Sequence, residues 1–165
     1  MRLLLAFLTS VAWAHGPSAY ARLNPEADAV HALNICLSAV EQKQQPAVTE
    51  FGSTVLRGQP DGKACTFAVK TGVASILRNA VVSAIMMPPK SFAPAKTDWD
   101  PGAFLSRQTL CGGAGAENLS VLVSAGAKTA GQPPLVATVL ESTKRDSRCD
   151  QDLGLQPALS EMLKR

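Results

Sequence analysis

The chain has 165 residues, of which 16 are Lys or Arg and 13 are Asp or Glu, so its formal net charge is only +3. The basic residues are scattered, and a charge so near zero argues against a nucleic-acid-binding protein that relies on a basic surface. The length suits one globular domain with a real hydrophobic core.

The N-terminus predicts a cleavable export signal. Arg2 gives it a positive start, residues 3–14 are apolar and uncharged, and residues 19–21 form a small-x-small cleavage pattern. The apolar run is too short to cross a bilayer, which takes roughly 20 residues. We expect cleavage after Ala21 rather than after Ala14. Residues 22–165 then form a single exported globular domain, periplasmic or secreted, with no transmembrane segment.

An N-cap asparagine, Asn24, followed by proline and glutamate, predicts the start of a helix that ends near residue 44. Two strand-like runs follow, at 53–59 and 63–71. The Pro-Asp-Gly sequence between them is a strong turn signal, and the two runs therefore predict a β-hairpin.

Residues 73–87 have apolar side chains at helical spacing, which predicts a second, buried helix. The β-branched residues of this stretch, with Arg78 and Asn79 at its centre, also suit two short strands around a turn, and that alternative stays open. A single cation does not make the basic face that membrane-surface helices carry.

A stretch rich in proline and lysine, residues 88–103, predicts a long loop, and such loops tend to be functional or disordered. Strand-like runs follow at 104–111, 118–124 and 135–142, with connections too short for a helical crossover, so we expect an antiparallel meander. A short final helix is expected from about residue 157. Together the elements predict an α+β fold, an antiparallel sheet of about five strands with two helices packed on one face.

Four cysteines, Cys36, Cys65, Cys111 and Cys149, lie in the exported part of the chain. An even number in an oxidising compartment indicates two structural disulfides, for which sequence permits three pairings. No two cysteines have the spacing of a zinc half-site or a thioredoxin-like motif. Cys36 and Cys65 both lie on apolar sides of their predicted elements and so face the core. We therefore predict the bridges Cys36–Cys65 and Cys111–Cys149.

The residues that could carry catalysis are few. His31 is the one histidine after residue 21, so any Ser-His-acid or Cys-His arrangement would have to use it. Asp28 lies one turn before it, but such neighbours are common on solvated helix faces. We expect no catalytic residue, no metal site and no cofactor.

The most suggestive triplet is Asp98-Trp99-Asp100, since two carboxylates beside an indole can bind a cation or a sugar. The simpler interpretation is a turn at Asp100 with Trp99 pinning the loop. The predicted function is that of an exported, disulfide-stabilised, non-enzymatic domain that binds a cell-envelope or extracellular partner of unknown identity. The alternatives are a small hydrolase using acidic residues, or an inhibitor of an extracellular hydrolase. The predicted interaction surface is formed by loop residues Phe92, Lys96, Asp98, Trp99 and Asp100.

Overall fold

The structure is a computed structural model that describes residues 24–96, 100–113, 115–143 and 147–150. The expected export signal and the expected helix from residue 157 lie outside these residues. In chain order the elements are α1 (Pro25–Glu41), β1 (Glu50–Phe51), β2 (Thr54–Gly58), β3 (Ala64–Val69), α2 (Ala74–Met86), β4 (Ala93–Pro94), β5 (Phe104–Cys111), β6 (Leu119–Ala127), β7 (Leu135–Glu141) and α3 (Ser147–Asp150).

The strands form one antiparallel sheet in the order β1-β2-β3-β7-β6-β5-β4. Strands β1 to β3 make one meander and β4 to β7 make another, and the pairing of β3 with β7 joins them in the middle of the sheet. The α+β class is confirmed, but the described sheet has seven strands rather than about five. The two additional strands, β1 and β4, are two-residue edge strands, too short to show the alternation that reveals a strand in sequence.

Helix α1 begins as its sequence predicts. The side chain of Asn24 accepts a hydrogen bond from the backbone N–H of Ala27 at 3.1 Å, and Pro25 occupies the first turn. Residues 74–86 form helix α2, so the two-strand alternative for this stretch is wrong. The helix buries Leu77, Val81 and Ile85, which recur every four residues and form one face against the core.

Helices α1 and α2 pack on the same face of the sheet, and the core lies between these helices and the sheet. Its central side chain is Phe67 of β3, which is fully buried. The structure contains both predicted bridges. Cys36–Cys65 joins α1 to β3 with a Cα–Cα distance of 5.2 Å, and Cys111–Cys149 joins β5 to α3 at 5.8 Å. None of the helices in the described ranges combines the length and the apolar character needed to cross a membrane.

Candidate functional site

The face of the sheet that points away from α1 and α2 carries a continuous set of side chains. Side chains directly opposite each other in a sheet lie on the same face. The strand register therefore places one residue from each of five neighbouring strands in a row across this open face. The members of the row, in spatial order, are Arg57, Thr66, Thr138, Leu122 and Thr109.

A groove of about 600 Å³ lies on this open face. Strands β2 and β3 supply its floor, and the turn between β6 and β7 supplies a wall at residues 131–133. The floor side chains come from alternate positions of the two strands, which is why they all point the same way. They are Val55, Arg57, Thr66 and Ala68, joined by Lys70, which directly follows β3.

The hydroxyl of Thr66 in the groove floor has a partner in Thr138, the next residue across the sheet. Thr66 Oγ1 and Thr138 Oγ1 lie 2.9 Å apart, so the two side chains share a hydrogen bond across β3 and β7. Lys70 Nζ lies 2.6 Å from Oε1 of Glu50. The hydrogen bond from Lys70, and then its positive charge, hold the pKa of Glu50 below its ordinary value. Arg57 is exposed and makes no ion pair with any residue that the structure describes.

The opposite side of the open face is bordered by α3 and by the loop before β5. Arg148 Nη1 lies 3.5 Å from Thr109 Oγ1, and the backbone carbonyl of Arg148 accepts a hydrogen bond from the backbone N–H of Lys96. Arg107 donates from Nη1 to the carbonyl of Asp100 at 3.2 Å. The described ends of the predicted binding loop thus adjoin the open face.

The predicted binding residues do not share one environment. Phe92 is only 4% exposed and belongs to the hydrophobic core, where it supports the loop from below. Lys96 and Asp100 are exposed. Oδ1 of Asp100 accepts a hydrogen bond from the N–H of Gly102 at 2.9 Å, as expected for a turn. Asp98 and Trp99 lie outside the described residues, and binding by this loop stays a prediction.

The contacts of His31 and Asp28 indicate structural roles for both side chains. The ring of His31 packs edge-on against Phe51 with centroids 5.0 Å apart. Oδ2 of Asp28 accepts a hydrogen bond from the N–H of Ser53 at 3.2 Å, so this carboxylate holds the β1–β2 turn. Within the described ranges, no group of three or more His, Cys, Asp or Glu residues could hold a metal ion.

The groove could not be predicted from the sequence, because its lining residues form no recognisable motif and lie far apart in the chain. A period-two pattern identifies a strand, but it does not say whether the less apolar side will be covered. Neither protein-family models nor curated proteins nor solved structures give a match to this chain. Its function therefore has to be argued from the geometry of the described residues.

Proposed function

We propose that the protein is an exported, non-enzymatic domain that binds a cell-envelope or extracellular partner in the groove of the open sheet face. Two disulfides support a location where thiols become oxidised, in the periplasm or outside the cell. The observation that carries the binding role is the groove itself. It is concave, it has the size of known ligand sites, and neither α1 nor α2 covers it.

The chemistry of the lining favours binding over catalysis. Val55 and Ala68 are half-buried and offer apolar contact, while the hydroxyl of Thr66 offers a hydrogen bond. The partner of that hydroxyl is Thr138, which is not a base and does not activate a nucleophile. The lining combines an apolar floor with one hydroxyl and two cations, a set of groups that suits recognition of a ligand.

The loop at the far border of the same face extends this surface. Lys96 and Asp100 are its exposed described members, and Phe92 anchors it in the core. We assign Asp98 and Trp99 to the same contact, as the sequence predicts. A partner that fills the groove and reaches across the sheet would meet both regions.

Affinity capture from the native envelope tests the proposal. The bait is the mature protein with both disulfides formed, compared with Ala68→Gln, which fills the groove floor. Ser83→Gln is the matched control, because Ser83 is exposed on α2 in the other layer. We expect Ala68→Gln to recover a specific partner at least about tenfold less well than the wild type, and Ser83→Gln to recover it equally.

If Ala68→Gln recovers the same proteins in the same amounts as the wild type, the groove is not the binding surface. Trp99→Ala tests the loop in the same assay. A Trp99→Ala protein that captures every wild-type partner would remove the loop from the interface and leave the groove alone.

A further inference from the structure

We infer that the groove accepts an acidic, extended segment of a partner polypeptide, with two carboxylates that flank a small aliphatic side chain. The inference rests on the proposed binding function and names the chemistry of its ligand. It is argued from the charges, the spacing and the apolar floor of the groove.

The charge of the lining is of one sign. Arg57 and Lys70 both line the groove, and no acid is among the lining residues in the described part of the chain. Glu50, from the neighbouring strand β1, already places a carboxylate on Lys70. A ligand carboxylate at this end would have to replace Glu50 as the partner of Lys70, whereas Arg57 at the other end has no described acid as a partner. Electrostatic complementarity favours an anionic ligand.

The spacing of the two cations sets the spacing of the ligand's acids. Arg57 is paired with Thr66 in the sheet, and Lys70, the residue directly after β3, lies four positions beyond Thr66. At 3.3 Å per residue this places the backbone positions of Arg57 and Lys70 about 13 Å apart along the strand direction. In an extended ligand the same length corresponds to positions i and i+4, whose side chains point to the same side.

The position between the two acids also points into the groove. In an extended chain the side chain at i+2 faces the same way as those at i and i+4. It would meet the floor, where Val55 and Ala68 are half-buried and Pro133 borders the turn. These contacts suit a small aliphatic side chain such as valine or alanine. The hydroxyl of Thr66, which shares one hydrogen bond with Thr138, has capacity for a second one with the ligand backbone.

The same lining argues against an acidic polysaccharide. Sugar rings are usually held by stacking on an aromatic side chain. The groove residues that the structure describes include no Phe, Tyr or Trp. Val55, Ala68 and Pro133 give the groove an aliphatic surface that suits an aliphatic side chain better than a sugar ring, so we assign the groove, as distinct from the loop that carries Trp99, to a polypeptide.

The experiment uses the mature, oxidised protein and two fluorescein-labelled peptides, read by fluorescence anisotropy. One has the core Glu-Thr-Val-Thr-Glu and the other the core Lys-Thr-Val-Thr-Lys. Arg57→Glu is the test variant, and Lys63→Glu is the matched control with the same charge change at an exposed site outside the groove. We expect the acidic peptide alone to bind, Arg57→Glu to weaken it at least about tenfold, and Lys63→Glu by less than about twofold.

Three results would overturn the inference. One is equal binding of both peptides, or equal loss in both variants, because the recognition would then not be that of an acidic segment in this groove. Another is displacement of the labelled peptide by polygalacturonate at a lower carboxylate concentration than the unlabelled acidic peptide needs. That result would assign the groove to an acidic saccharide. The last is a synthetic peptide of residues 151–165 binding more tightly than the acidic peptide, which would make the chain's own C-terminus the occupant.

The two proposals fail separately. If capture depends on Ala68 but the acidic peptide does not bind, the binding function stands and the acidic chemistry falls. If the acidic peptide binds in an Arg57-dependent way but no envelope partner is captured, the ligand chemistry stands and the location of the partner is wrong.

Discussion

Lys70 and Glu50 form the ion pair at one end of the groove. Both side chains are more than half exposed, and their charged atoms lie 2.6 Å apart. Exposed pairs of this kind contribute little to stability, because water screens them. In the complex that we propose, a ligand carboxylate would compete with Glu50 for Lys70, so the strength of this pair would set the charge that the groove presents.

Replacing Lys70 by methionine should raise the pKa of Glu50 toward its ordinary value, because Lys70 supplies the hydrogen bond and the charge that lower it. A carboxyl group with a lowered pKa in the folded state stabilises the fold above its ordinary pKa. That contribution is lost as the pH falls through the lowered value. The check is a carbon-13 NMR titration of the Glu50 carboxyl group. An unchanged titration in Lys70→Met, or an equal change in Lys63→Met, would contradict the pairing.

The turn between β2 and β3 packs against the end of α1 and sets how these elements meet. Gly62 in this turn has a φ of +70°, a conformation that side chains rarely adopt. A Cβ added there would lie 2.3 Å from the carbonyl carbon of Lys43, which is two residues beyond the end of α1. The close approach explains why the Pro-Asp-Gly turn needs its glycine for packing as well as for its backbone conformation.

Gly62→Ala should therefore cost more stability than Gly102→Ala. Gly102 also has a positive φ, +58°, but a Cβ there would meet nothing within 4 Å. We expect a loss of about 1 kcal/mol for Gly102→Ala from the backbone conformation alone. Gly62→Ala should lose about 1–3 kcal/mol more, because backbone atoms must move apart. Urea unfolding at one pH compares them, and equal losses would mean that the turn does not press on α1.

At the scale of the whole molecule, the two disulfides connect different layers. Cys36–Cys65 ties α1 to β3 near the middle of the sheet, and its sulfur atoms lie within the core. Cys111–Cys149 ties α3 to β5. Thr109 of β5, which Arg148 of α3 contacts, belongs to the open face. One bridge thus holds the helical layer, and the other holds the border of the candidate binding surface.

Removing the first bridge by Cys36→Ala with Cys65→Ala should lower the free energy of unfolding by about 3–4 kcal/mol. The bridge closes a loop of 29 residues, and the chain-entropy model gives this range for such a loop. Urea unfolding without reductant measures the loss. Cys111→Ala with Cys149→Ala, which opens a loop of 38 residues, should lose a similar amount in the same model. If the variant with Cys36→Ala and Cys65→Ala is as stable as the wild type, the bridge between these two residues has no structural role.

Much of the fold could be predicted where the pattern in the sequence is long. Helices α1 and α2 have apolar residues at helical spacing over many positions, and strand β5 has the predicted bounds. Strand β6 runs three residues beyond its predicted end, to Ala127. The pairing of Cys36 with Cys65 could be predicted because each lies on the apolar side of its element.

Only the border of the candidate site could be predicted from the sequence. The composition of the loop around Asp100 predicted a binding role, and the described ends of this loop adjoin the open face. The groove itself could not be found, because it combines alternate residues of β2 and β3 with the turn at 131–133. More than 60 residues of chain separate these parts, and nothing local marks them as neighbours.

The sequence by itself determined the main helices and strands, the antiparallel class and the cysteine pairs, because these depend on periodicity, turn residues and the apolar side of each element. The tertiary structure alone decided the strand order, the two edge strands and the meeting of β2 and β3 with the turn at 131–133. These depend on which elements meet across the chain. The face that carries the groove is open because α1 and α2 both pack on the other face, as expected from the sequence, and only packing of the whole core brings the separate parts of the groove together there.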